Sequence, residues 1–368
     1  MNKKVAYSLS APIEYCKREY KELFGPGPYR SEFQRDRDRI LYSKQFRRLS
    51  GKTQVFLTAS HDHIRTRLTH TLEVAQIARV TAKYMGLDES LAEAIALAHD
   101  AGHTPFGHAG ENALSLIMSG CDELAPFQKK MKERDKGFKH NLQGLRVLCD
   151  LEVLRGKHTG LNLTNYTLWG IRNHTEIEWK PCRYVDTTRN SCYLKKHKPK
   201  KCTQERRQCV AFYNKYQKYV TKANSDDEAW SFEADVVRFA DEIAQRHHDI
   251  EDAIFMGTIM KDELIERIEL LLSDHMDTND KKILSSLKKT NNTSLFLPLA
   301  STLIVGFLNK QLIKNSIDNL NNLIRELGIK KRRDFVGIYP RLKREEVSNI
   351  ISFLITSLRK KKIFIHFL

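Results

Sequence analysis

The ten residues LAEAIALAHD, Leu91 to Asp100, constrain this chain more than any others. They are almost wholly apolar until they end in a His–Asp pair. A helix that is apolar on every side is buried on every side, so this one belongs at the centre of a helical core. The pair at its end is then polar chemistry in an oily interior. Leaving such a group unpaired costs ~1–3 kcal/mol or more. Neighbouring side chains or a cation must satisfy it. For a lone His–Asp dipeptide the plain explanation is a hydrogen-bonded helix end.

Other helices surround it. Leu68, Leu72, Ala75, Ala78, Ala82 and Met85 step by three or four and form one apolar stripe, closed by Gly86. Asp88 or Ser90 then caps the apolar helix, and Ser90-x-x-Glu93 fits a capping box. A third strong helix runs from about Trp230 to Met256, with Phe232, Val236, Phe239, Ile243, Ile250 and Ile254 on its apolar side and Gly257 after it. Upstream, Ile40, Leu41, Phe46 and Leu49 keep helical spacing within SEFQRDRDRILYSKQFRRLSGKTQVF. Only 17 Gly and 9 Pro in 368 residues leave few tight turns, and there is no internal repeat or series of alternating strands. With 41% hydrophobic and 29% charged residues, a disordered or fibrous chain is excluded. The expected fold is all-α, a helical bundle with additional C-terminal helices. Three parts are expected: an N-terminal segment, 1–60, with a turn at Gly25 to Pro28; a core domain, 61–260, carrying a basic insert at about 180–228; and a helical region, 261–368, split at Thr278–Asp280 and Lys288–Ser294.

The formal charge of +17 is concentrated. From Lys180 to Lys222 there are thirteen Lys and Arg against Asp186 and Glu205, and a second basic run includes Lys330, Lys331, Arg332, Arg333 and Lys360 to Lys362. Such segments either attract polyanions, single-stranded nucleic acid among them, or form a solvated face. Four of the seven Cys, Cys182, Cys192, Cys202 and Cys209, lie in the first run. A structural zinc there is one reading, although zinc ribbons pair their ligands two to four residues apart and these are seven to ten apart. No secretory pattern opens the chain, and the odd Cys count fits reduced thiols, so a cytoplasmic protein is expected. The most apolar run, Leu295 to Leu308, is short for a bilayer and contains Pro298, so no membrane association is expected.

Chemistry gathers where polar residues interrupt apolar helices. His99 and Asp100 end the buried helix, His70 lies on the helix before it, and Asp241 lies on the third. Asp241, Ala244, His248 and Asp252 recur at helical spacing as a polar stripe expected opposite the core side. Two imidazoles and two carboxylates from three helices suit a divalent transition ion and leave coordination positions open. The segment HDAGHTPFGHAGE, residues 99–111, adds three His, one Asp and one Glu within thirteen residues, a density that packing alone explains poorly. His99 and His103 mimic a metalloprotease H-E-x-x-H spacing, but Gly102 inside the motif and Pro105 past it oppose the unbroken helix that motif needs.

SEFQRDRDRILYSKQFRRLSGKTQVF, RTRLTHTLEVAQIAR, HDAGHTPFGHAGE, GFKHNLQGLRVL and ADEIAQRHHDIEDA, in that order and spacing from about Ser31 to Asp252, resemble the HD-domain deoxynucleoside triphosphate triphosphohydrolases, the dGTPase-like family. The resemblance implies a helical HD fold with one divalent ion, Mn²⁺, Mg²⁺ or a similar transition ion, on His70, His99, Asp100 and Asp241. It implies catalytic roles for His108 and Glu111 and a phosphate contact for His103. Arg67 matches a phosphate-binding Arg, Asp249 the carboxylate that holds the sugar 3′-hydroxyl, and Gln54 a residue near sugar and base. His140 and Asn141 lie in a block that lines the pocket. Gln245 stands where the family often has Tyr beside the sugar. The implied reaction is hydrolysis of a dNTP to deoxynucleoside and triphosphate, in a homo-oligomer with a possible allosteric dNTP site. The alternatives are an HD phosphohydrolase of another nucleotide, or a basic nucleic-acid-binding protein with a structural HD site.

Overall fold

A computed structural model describes residues 9–22, 25, 27–53, 65–118, 138–153, 158–175, 229–290 and 292–328. Gln54, the four cysteines of the basic insert and both basic runs lie outside these residues. Among the described residues the chain is helical, and its only β contacts are isolated bridges joining Thr53 to Thr66 and Val153 to Thr159 and Gly160.

Eleven α-helices are formed among the described residues: α1 (Glu32–Leu41), α2 (Lys44–Arg48), α3 (Arg67–Met85), α4 (Glu89–Ala98), α5 (Gly107–Met118), α6 (His140–Arg146), α7 (Asn165–Asn173), α8 (Phe232–Phe255), α9 (Lys261–Leu272), α10 (Thr278–Lys289) and α11 (Thr293–Glu326). The apolar α4 is the hub, packed by α1, α3, α7 and α8. Its Leu91, Ala92, Ala94, Ile95 and Ala96 are fully buried. Burying a Leu or Ile side chain contributes ~1.5–3 kcal/mol.

Local chemistry decides where the helices begin. Thr66 caps α3 in a reciprocal capping box with Thr69, and Gly86 ends it at φ 74°. The cap of α4 is Asp88, whose side chain accepts from Leu91 N; Ser90 lies inside the helix, so the Ser90–Glu93 box does not form. Ser43 accepts from Phe46 N and separates α1 from α2, where the apolar spacing read as one stretch. Thr278–Asp280 is the start of α10, capped by Asp277, and not a break. The helix α11 runs through Pro298 because the proline sits near its start and forfeits a single intrahelical bond. Residues Ser294–Glu326 are therefore long and apolar enough to cross a membrane by length and composition alone. Here Phe296, Leu303, Phe307 and Leu320 are buried in the common core, with α11 against α3, α8 and α10.

Two buried carboxylates join distant segments to this core. Glu233, at the start of α8, accepts from Ala11 N at 3.1 Å and Asp88 N at 3.0 Å. Asp36 of α1 accepts from Arg18 at 2.6 Å and from Thr164 N at 2.8 Å, the cap of α7. The face of α8 carrying Ala244 and His248 is also buried, against α3, so α8 has two buried faces where one was expected.

Candidate metal centre

The end of α4, the first turn of α3 and the middle of α8 meet at one point. His99 is the C-cap of α4, and its Nδ1 lies 2.6 Å from Ala96 O. That contact fixes the ring and leaves Nε2 as a lone pair facing inward. Asp241 Oδ1 lies 3.0 Å from His70 Nε2 and 3.7 Å from His99 Nε2. The ligand atoms of His70, His99 and Asp241 all fall within 4.8 Å of one another. His99 Nε2 is buried without a hydrogen-bond partner among the described residues. An orphaned imidazole nitrogen between carboxylates, in an N/O donor set, is what a divalent transition ion would satisfy. The residues present fit such an ion.

Asp100 is placed differently from the other three. Its Oδ2 takes Arg67 at 2.5 Å, while Oδ1 lies 3.2 Å from His103 Nε2 and 3.4 Å from His99 Nε2. It borders the centre while holding the two flanking groups. Burial pushes the Asp100 carboxyl up, but His99, His103 and Arg67 hold it well below the usual carboxylate range. Asp241 is likewise held low, against burial, by His70 and His99. Both carboxylates are thus ionised at neutral pH.

A second group adjoins it. His103, Glu111 and His140 offer ligand atoms within 4.8 Å of one another. Glu111 Oε2 lies 2.8 Å from His140 Nδ1 and 3.5 Å from His108 Nδ1, and the rings of His103 and His140 stack at 3.9 Å. Burial raises the Glu111 carboxyl, but its bonds to His108 and His140 outweigh that and hold it well down. The same bond from Glu111 raises His108, whose side chain is 71% exposed, whereas burial drives His103 well below its ordinary value. Gly102 makes the arrangement possible: a Cβ there would lie 1.9 Å from His140 O and 2.3 Å from Gly144 N, so only glycine lets α6 press on the His99–Asp100 turn.

An HD-domain family model matches residues 67–245. A deoxyguanosinetriphosphate triphosphohydrolase-like protein of Wolinella succinogenes is 38% identical over 76% of this chain and 64% of its own length. The like-named protein of Pelagibacter ubique is 42% identical over 65% of this chain and 53% of its own length. That of Rickettsia felis is 36% identical over 87% of this chain and 73% of its own length. The chain belongs to the HD-domain, deoxyguanosinetriphosphate triphosphohydrolase-like family. It spans little more than half of the Pelagibacter relative and under two thirds of the Wolinella one.

Within this family member the remaining expected residues fall in different places. His140 stands beside Glu111, closer than His108 does. Asn141 donates its amide to Arg172 O and Thr175 Oγ1, so it pins α6 to α7. Asp249 is partly exposed on α8, 3.9 Å from Arg246. Two neighbours of the centre were not singled out from the sequence. Lys52 Nζ donates to His103 O at 2.6 Å, and burial, then Arg67, pull it down to about 8. His174 is buried, donates from Nδ1 to Ile171 O at 2.7 Å, and lies 5.3 Å ring to ring from His99. Burial and then His99 push it down to about 3, so it is neutral. Lys52 lies in the quoted 31–56 block without a role assigned to it, and His174 in a segment with no pattern of its own.

Proposed function

We propose that this chain hydrolyses a deoxynucleoside triphosphate at the α-phosphorus to deoxynucleoside and inorganic triphosphate, with one divalent ion held by His70, His99, Asp100 and Asp241. The observation that carries this reading is the orphaned His99 Nε2 among Asp241, His70 and Asp100, with Arg67 and the Glu111-paired histidines on its border. Bound there, Mn²⁺ or Mg²⁺ supplies Lewis-acid polarisation of a phosphate oxygen.

The side chains supply the rest. Arg67 and Lys52 form a cationic corner beside His103, suited to the negative charge of a triphosphate. A water attacks the α-phosphorus in line and releases its proton to solvent, while the 5′-oxygen leaves with a proton from His108, which solvent then reprotonates. His108 suits that task because Glu111 favours its protonated form, and His140 holds Glu111 in place from the other side. Asp249 and Gln54 are assigned to the sugar and base.

Product analysis tests the reading. Each dNTP is incubated with the chain and Mn²⁺ or Mg²⁺, and the phosphorus products are resolved. Triphosphate and deoxynucleoside are expected; pyrophosphate or single phosphate would reject the reaction. Asp241→Asn is expected to lose bound metal and turnover together.

A further inference from the structure

The seam between α3 and α8 continues past the centre just described, and its next turns carry a second set of ligand side chains that the proposed reaction does not use. Glu73 stands one turn beyond His70 on α3, and His247 and His248 stand about two turns beyond Asp241 on α8. His248 Nε2 binds the Glu73 carboxylate directly, and Glu73 Oε2 lies 3.8 Å from His247 Nδ1. The ligand atoms of the three residues all fall within 4.8 Å of one another. His247 and His248 are 8% and 2% exposed. His247 Nε2 makes no hydrogen bond, although Glu251 Oε1 is 3.0 Å away. Arg65 binds Glu251 and lies 3.7 Å from Glu73, so two carboxylates face one guanidinium. One negative charge is left over beside two buried imidazoles.

We infer that Glu73, His247 and His248 form a second cation site, separate from the HD ligands, that takes a late first-row divalent ion such as Zn²⁺, Co²⁺ or Ni²⁺. Two imidazoles and a carboxylate favour these ions, whereas Mg²⁺ and Ca²⁺ prefer all-oxygen shells. Three ligands from two rigid helices leave a fourth position for water or for Glu251. The site adjoins the first one physically: the His248 ring packs edge-on against the His70 ring at 5.2 Å. An ion on Glu73 and His248 therefore bears on the orientation of a ligand of the first centre.

Metal stoichiometry tests this without reference to turnover. The full chain is stripped with chelator and titrated with Co²⁺ under equilibrium dialysis, with bound metal read by mass spectrometry. The wild type is expected to bind one equivalent more than the His247→Ala/His248→Ala variant. Asp241→Asn is expected to keep that equivalent while losing the one at the HD ligands. Glu73→Gln changes a half-exposed carboxylate to its isostere; it is expected to weaken the second equivalent at least tenfold with an unchanged circular dichroism spectrum. Because each comparison is a difference between variants, ions held elsewhere in the chain cancel. If the double variant does not fold, Glu73→Gln and His247→Gln decide. Wild-type stoichiometry and affinity in both of those single variants overturn the inference.

Discussion

Glu111 is the residue on which the proposed proton transfer turns, because one carboxylate oxygen serves two imidazoles. It lies 2.8 Å from His140 and 3.5 Å from His108. Its hydrogen bond is the largest influence on His108 and raises that imidazole above the ordinary value near 6.5. An acid with a raised pKa stays protonated to higher pH and is lost as pH climbs through that value. The profile of kcat/KM should therefore carry an alkaline limb above ~6.5. In Glu111→Gln the support is gone, and the limb should move to lower pH while bound metal is unchanged. His108→Ala should lower kcat by ~10²–10⁴-fold with metal retained. An acidic limb that moves instead would assign His108 the role of base. Loss of metal in His108→Ala would place it among the ligands. At this scale His70, His99, Asp100 and Asp241 stood out in the sequence because they interrupt apolar helices, and the rest of HDAGHTPFGHAGE because of its density of His, Asp and Glu. His174 and Lys52 were not, since their proximity to His99 and His103 depends on how α7 and the segment before α3 pack. Asn141 is held elsewhere than His140. It sits next to His140, but successive helical residues face different ways, and its amide is used on α7.

Among the elements, the contact between α6 and the turn after α4 sets the spacing of the two histidine groups. Gly102 and Gly144 face each other there, and a methyl group on Gly102 would overlap the backbone of His140 and Gly144. Backbone cannot swing aside as a side-chain tip does, so Gly102→Ala must push α6 away. Overpacking of this kind costs ~1–3 kcal/mol. It should also carry His140 off Glu111, which adds a functional loss to the structural one. The expected outcome is a lowered melting temperature and a fall in kcat of tenfold or more, with metal still bound. Unchanged kcat in a destabilised variant would uncouple α6 from the chemistry. The helices that form the hub were readable because each has one or more clean apolar stripes: α3, α4 and α8 run within a few residues of the expected bounds. The boundaries that misled were decided by single side chains. Ser43 stops α1 from joining α2, and Asp88 takes the cap that Ser90 fitted equally well by pattern. The second buried face of α8 was hidden because a polar stripe reads as solvent-facing unless its partner is known. That partner is α3, which supplies His70 to Asp241 and Glu73 to His248.

For the whole molecule, the separation of the proposed ligands along the chain is what matters. His70, the His99–Asp100 pair and Asp241 come from three helices that are far apart in sequence, and only the folded chain brings them together. An ion that needs all three binds the native state and not the unfolded one. It therefore stabilises folding by mass action, ~2.7 kcal/mol at a free concentration 100 times the dissociation constant. An ion there would also quench the unfavourable burial of His99 Nε2 and of two ionised carboxylates, so the chelated protein should open first along the α3–α8 seam. The melting temperature of the chelator-treated chain should rise with added Mn²⁺ and level off as the site fills. Hydrogen exchange should slow in α3 and α8 over the same concentration range. In Asp241→Asn the rise should be lost, although that variant removes one partner of His70 and begins from a different baseline. A melting temperature indifferent to Mn²⁺ in the wild type would mean that these four residues satisfy one another without an ion, and the proposed hydrolytic centre would fall with them.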